Sequence, residues 1–173
     1  MKRRVLQHFG IAEKPLFVNG IFSMYSQDVR NAVMDNEMIA LVGPTGAGKT
    51  ELYKHACLHL KTNPDQAPIF VRVCNKNKER LTIASIINAI IYDISDEGPR
   101  HDMEARSRQV VRLLGEKVVR EKKHVCVVIE EAHRLHANTY RAIKELREES
   151  FAGVTPLFSI VLIGQQALEM KLF

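Results

Sequence analysis

Four short apolar runs punctuate the chain: Met38–Val42, Ile69–Val73, Val125–Ile129 and Phe158–Ile163. None has a polar face alternating with an apolar one, which is the pattern of strands covered on both sides in a parallel sheet. Between these runs the apolar period lengthens. Leu52, Ala56 and Leu60 recur at helical spacing over Lys49–Leu60. Ile83, Ile86, Ile87, Ile90, Ile91 and Ile94 do the same over Leu81–Ile94, with Thr82 near its start. Met103–Lys122 reads as a long amphipathic helix with Val110, Val111, Leu114 and Val118 inward. Asn138–Glu149 carries only a thin stripe of Tyr140, Ile143 and Leu146, and Gln166–Phe173 begins another helix. Strands alternating with helices predict an α/β fold of three layers, with helices on both faces of a mostly parallel sheet. Residues 1–37 lack this rhythm and form an N-terminal segment, irregular or partly helical, with Pro15 and Gly20 as breakers. Residues 38–173 then make up the core.

Composition changes this picture little. A chain of 173 residues, 46% hydrophobic and 26% charged, can bury a core without disulfides or metal. Cys57, Cys74 and Cys126 form no CxxC pair, which argues against a zinc site or disulfide framework and for a reducing, cytoplasmic setting. No run of apolar residues is long enough to span a membrane. The net charge of +5 gathers in Lys2–Arg4, Lys76–Arg80 and Arg120–Lys123. These clusters fit either solvated loops and helix ends or a surface for DNA.

The chemistry concentrates at the ends of the apolar runs. Gly43-Pro44-Thr45-Gly46-Ala47-Gly48-Lys49-Thr50 satisfies G-x-x-x-x-G-K-[ST] between a strand and a helix. Its glycines let the backbone curl so that successive N–H groups face a phosphate, and the helix start adds further donors. Lys49 would reach the terminal phosphates of ATP, and the Thr50 hydroxyl would ligate Mg²⁺. The third run ends in Glu130-Glu131. Glu130 would hold Mg²⁺ through water, and Glu131 would orient and deprotonate the attacking water. The alternative is an exposed acidic turn. Gln165 follows the fourth run, where an amide can position water beside the terminal phosphate or simply cap the strand. His133 and His136 lack a third metal ligand and read as polar loop residues.

The phosphate loop, the double acid and the polar strand end together resemble the additional-strand P-loop ATPases, and among them the AAA+ group. Three stretches narrow the likeness: His8–Phe17, Ile129–Leu135 and Leu162–Leu168. All three resemble the ExeA-like ATPases, a set that includes secretion ATPases and transposition helpers similar to phage Mu B protein, TniB and TnsC. The resemblance implies a sheet ordered 5-1-4-3-2, ATP hydrolysis to ADP and phosphate, nucleotide-dependent homo-oligomers and, in the transposition branch, DNA and a transposase as partners. The secretion branch implies a secretion partner instead. The usual first acid is Asp, so Glu130 reaches one methylene further. The fifth strand, arginine finger and helical lid of the group would fall after Phe173, so the resemblance leaves them out of this chain. An arginine finger contributes about 10³–10⁵ in rate, so weak hydrolysis by this chain alone is expected.

Overall fold

The computed structural model describes residues 20–62, 67–73 and 81–172. The stretch His8–Phe17, the clusters Lys2–Arg4 and Lys76–Arg80, and Cys74 lie outside the described residues.

The four apolar runs become four parallel strands: β1 (Met38–Val42), β2 (Ile69–Val73), β3 (Val125–Glu130) and β4 (Ser159–Gly164). Their order is β1-β4-β3-β2, with Leu41 opposite Ile163, Val128 opposite Val161 and Val71 opposite Val127. This is the 1-4-3-2 part of the expected sheet. Among the described residues β1 and β2 are its edges.

Because side chains alternate across a strand, the continuous apolar runs feed two cores. Val125, Val127 and Ile129 of β3, with Ile160 and Leu162 of β4, face helices α3 (Ile83–Ile94), α4 (Met103–Gly115) and α5 (Ala137–Glu148). Cys126, Val128, Val161 and Ile163 face the other way, toward α1 (Gly20–Met34) and α2 (Lys49–Leu60). The isoleucine face of α3 is buried throughout, at Ile86, Ile87, Ile90, Ile91 and Ile94. Each such side chain contributes roughly 1.5–3 kcal/mol. Thr82 caps this helix, accepting from the Ser85 amide at 3.2 Å. Cys57 and Cys126 are buried free thiols, and burial pushes Cys126 up to about 12, so neither is poised to react.

Two elements differ from the pattern along the chain. Gly20 starts α1 rather than breaking the chain, and this helix runs unbroken to Met34. Phe22, Ser26, Val29 and Val33 lie at helical spacing on its inner side, but the serine interrupts the apolar signal. The Ser26 hydroxyl, fully buried, lies 3.0 Å from Nδ1 of His55 on α2. The expected helix over Met103–Lys122 stays α-helical only to Gly115 and then widens into a π-helical turn, Glu116–Arg120. Gly115 lies against Phe151, whose ring leaves no room for a Cβ.

Candidate active site

β1 delivers the chain to Gly43, and the loop to Gly48 turns on two left-handed glycines, Gly46 (φ 85°) and Gly48 (φ 79°). L side chains rarely adopt that conformation. α2 then begins at Lys49 with no side chain capping its first turn. The amides at such a helix start have no helical acceptor and carry the positive end of the helix dipole. Lys49 folds back over the loop, its Nζ donating to the carbonyls of Gly43 (2.9 Å) and Pro44 (2.7 Å). Thr50 is half-buried at the next position of α2. Left-handed glycines, an uncapped helix start and an ammonium held only by neutral carbonyls are a donor set suited to a phosphate chain.

β3 ends at Glu130, whose Oε1 pairs with Nη2 of Arg72 on the neighbouring strand β2. Arg72 is the one charge in the run Ile-Phe-Val-Arg-Val. Glu131 then leaves the strand in a left-handed conformation, φ 55° and ψ 34°, before a 3₁₀ turn over Ala132–Arg134. A non-glycine residue there costs roughly 1–2 kcal/mol. The turn persists because it is pinned from inside: Ala132 is fully buried, and the Tyr140 hydroxyl donates to its carbonyl. The Glu131 carboxylate points outward, half-exposed, with Oε2 3.7 Å from His133 Nε2 and 3.6 Å from Arg134 Nε.

β4 brings these two parts together. Gln165, one residue beyond the strand, directs Nε2 to the Thr45 hydroxyl of the phosphate loop at 3.4 Å. Its backbone N–H donates to His133 Nδ1 at 3.3 Å. Gly164 permits this approach, since a Cβ there would lie 2.8 Å from Leu168 and 3.1 Å from the His133 amide nitrogen. After a 3₁₀ turn over Gln166–Leu168, the short helix α6 (Glu169–Leu172) carries Lys171, whose Nζ donates to the carbonyls of His133 and Leu135.

The loop residues Gly43–Thr50, the acids Glu130 and Glu131, and Gln165 therefore all lie at the carboxyl ends of three adjacent strands. Two members of this group, Arg72 and His133, stand outside the residues that the sequence motifs assign to the site. A lone Arg in an apolar strand was the available signal for Arg72. His133, read as a loop residue, is only 13% exposed and touches both acid and strand end. His136 is a cap: its Nδ1 accepts from the Asn138 amide at 3.2 Å and starts α5. Among the described residues no group of three His, Cys, Asp or Glu is placed to bind a metal without a ligand's help. A cleft of about 1150 Å³ opens beside the phosphate loop, between Lys49, Gly43, Phe22 and Tyr25 of α1, and Gln166.

A family model described as an AAA domain matches residues 32–172. No curated protein sequence matches significantly. Among solved structures, the chain is similar to the Aeropyrum pernix ORC2 protein, determined as ADPNP–ADP complexes, with a TM-score of 0.63 and 17% identity over 96% of this chain and 46% of that one. It is likewise similar to Cdc6p from Pyrobaculum aerophilum, with a TM-score of 0.64 and 18% identity over 93% of this chain and 43% of that one. The chain thus spans less than half the length of either, and the likeness is one of fold. No helix among the described residues is long and apolar enough to cross a membrane.

Proposed function

The chain is a member of the AAA domain family, and we propose that it binds and hydrolyses ATP as a nucleotide-dependent switch. One observation carries the reading: Gln165 at the end of β4 reaches Thr45 of the phosphate loop, while its backbone touches the turn that bears Glu131. Phosphate-binding and water-activating groups thereby converge at the carboxyl ends of the strands.

The loop amides from Gly43 to Gly48 and the Lys49 ammonium bind the phosphate chain, Lys49 exchanging neutral carbonyls for phosphate oxygens. Thr50 and Glu130 are the residues that would hold Mg²⁺, the latter through water and with Arg72 on one carboxylate oxygen. Bound Mg²⁺–ATP would supply an electrophilic terminal phosphorus and a metal that offsets charge on the phosphate oxygens. Glu131 orients a water and takes its proton at the carboxylate, and the Gln165 amide holds that water in line. The cleft beside α1 has room for the nucleoside. Calorimetry with ATP and Mg²⁺ tests the reading: heat is expected from the wild type and is expected to fall sharply in Lys49→Ala. Equal heat from both proteins, or none from folded wild type, would overturn it.

Within the family, we place the chain as a DNA transposition helper, working as a nucleotide-dependent homo-oligomer alongside a transposase. The stretches Ile129–Leu135 and Leu162–Leu168 support the group that holds this branch and the secretion branch alike, and the net charge of +5 favours the branch that binds DNA. DNA affinity that rises with ATP and falls steeply with salt is the expected result, because phosphate contacts release counterions. Absence of DNA binding would instead favour an ExeA-like secretion ATPase or an interaction module with little hydrolysis.

A further inference from the structure

His133 faces two partners that fix its tautomer. An amide N–H can only donate, so the Gln165 N–H at 3.3 Å makes Nδ1 the lone-pair nitrogen of the ring. The proton of the neutral imidazole then sits on Nε2, which lies 3.7 Å from Glu131 Oε2. Little of the ring is open to solvent, whereas the Arg134 guanidinium, which also lies near Glu131, is half-exposed and screened by water. Gly164 keeps the His133 backbone in near contact with the end of β4. Lys171 holds the carbonyls of His133, within the turn, and Leu135, just beyond it. The turn is therefore fixed, and what remains free to swing is the Glu131 side chain.

We propose that His133 is a positioning residue for the proposed hydrolysis, its Nε2–H directing the Glu131 carboxylate while its Nδ1 reads the Gln165 strand end. The inference rests on the ATPase reading above. The role is one of orientation: the imidazole steers the Glu131 carboxylate, and the water's proton goes to Glu131. Because Gln165 also touches Thr45 of the phosphate loop, one imidazole joins the part that grips phosphate to the part that activates water. A purely structural clamp would need only Nδ1, and this separates the two roles.

The test has two arms. Nitrogen-15 spectroscopy of the histidine rings in the wild type should show His133 as the Nε2–H tautomer; the Nδ1–H tautomer would overturn the proposal. Single-turnover hydrolysis, with protein in excess over labelled ATP, should slow about 10–100-fold in His133→Ala. ATP binding and melting temperature should stay near wild type. His133→Gln, whose amide can reach toward Glu131, should recover most of the rate. His133→Asn, which preserves only the acceptor for Gln165, should stay slow. In a Glu131→Gln background, His133→Ala should add no further loss. Recovery by Asn rather than Gln, or wild-type rates in all three variants, would each defeat the positioning role alone, whereas ATP binding without any wild-type hydrolysis would defeat the hydrolytic part of the ATPase reading together with it. Wild-type protein that binds no ATP would defeat the ATPase reading first, and this inference with it.

Discussion

The two halves of the site are built in opposite ways. The phosphate loop is eight consecutive residues whose shape comes from their own backbone: two left-handed glycines, a helix start and a lysine bonded to carbonyls five and six residues back. The acid turn takes its shape from elsewhere. Arg72 on β2 holds Glu130, Gln165 beyond β4 holds His133, Tyr140 on α5 holds Ala132, and Lys171 on α6 holds two further carbonyls. A binding surface made locally survives changes in its surroundings, whereas a turn held from four elements registers the position of each of them. On the proposed function, grip and chemistry are separable in this molecule, and substitutions should separate them.

The strongest separation is expected from Glu131→Gln, which should lower hydrolysis about 10²–10⁴-fold and leave ATP binding intact in calorimetry. A parallel loss of binding would show the halves to be one unit. Next come two glycines, one in each half. Gly164→Ala should cost about 1–3 kcal/mol in denaturant unfolding, since its Cβ would press on Leu168 and the His133 amide. Its hydrolysis should fall further than its nucleotide affinity. Gly48→Ala, at φ 79°, should cost about 1–2 kcal/mol and lose nucleotide affinity first. The reverse order in either variant would break the comparison. The smallest effect belongs to Arg72→Ala. The pair with Glu130 is partly exposed, so its loss should cost only about 0.2–1 kcal/mol in stability. Removing a cation beside the proposed metal ligand should also let less Mg²⁺ support ATP binding, which a Mg²⁺ titration measures.

The same division explains what could be read from the chain beforehand. The strands and the phosphate loop are written in contiguous residues, and β1, β2 and α2 fall on the predicted bounds. Features set by distant contacts were harder to see. α1 was obscured because Ser26 occupies a core position and is satisfied by His55, a partner 29 residues away. The helix from Met103 gave no warning of its wide turn, which begins just after Gly115, where Phe151 packs in from beyond α5. Glu130 and Glu131 were legible as a pair of acids; their partners were not, since Arg72 lies 58 residues upstream of Glu130 and Gln165 lies 32 beyond His133.

Lys171 gives α6 more mechanical weight than its four residues suggest. Its ammonium moors the stretch behind Glu131, so a shift of that helix would pull directly on the carbonyls of His133 and Leu135. The adjacent Met170 is 86% exposed and offers an outside body a handle on the same helix. Whatever grasps it would, through one lysine, tighten or slacken the tether behind the acid turn.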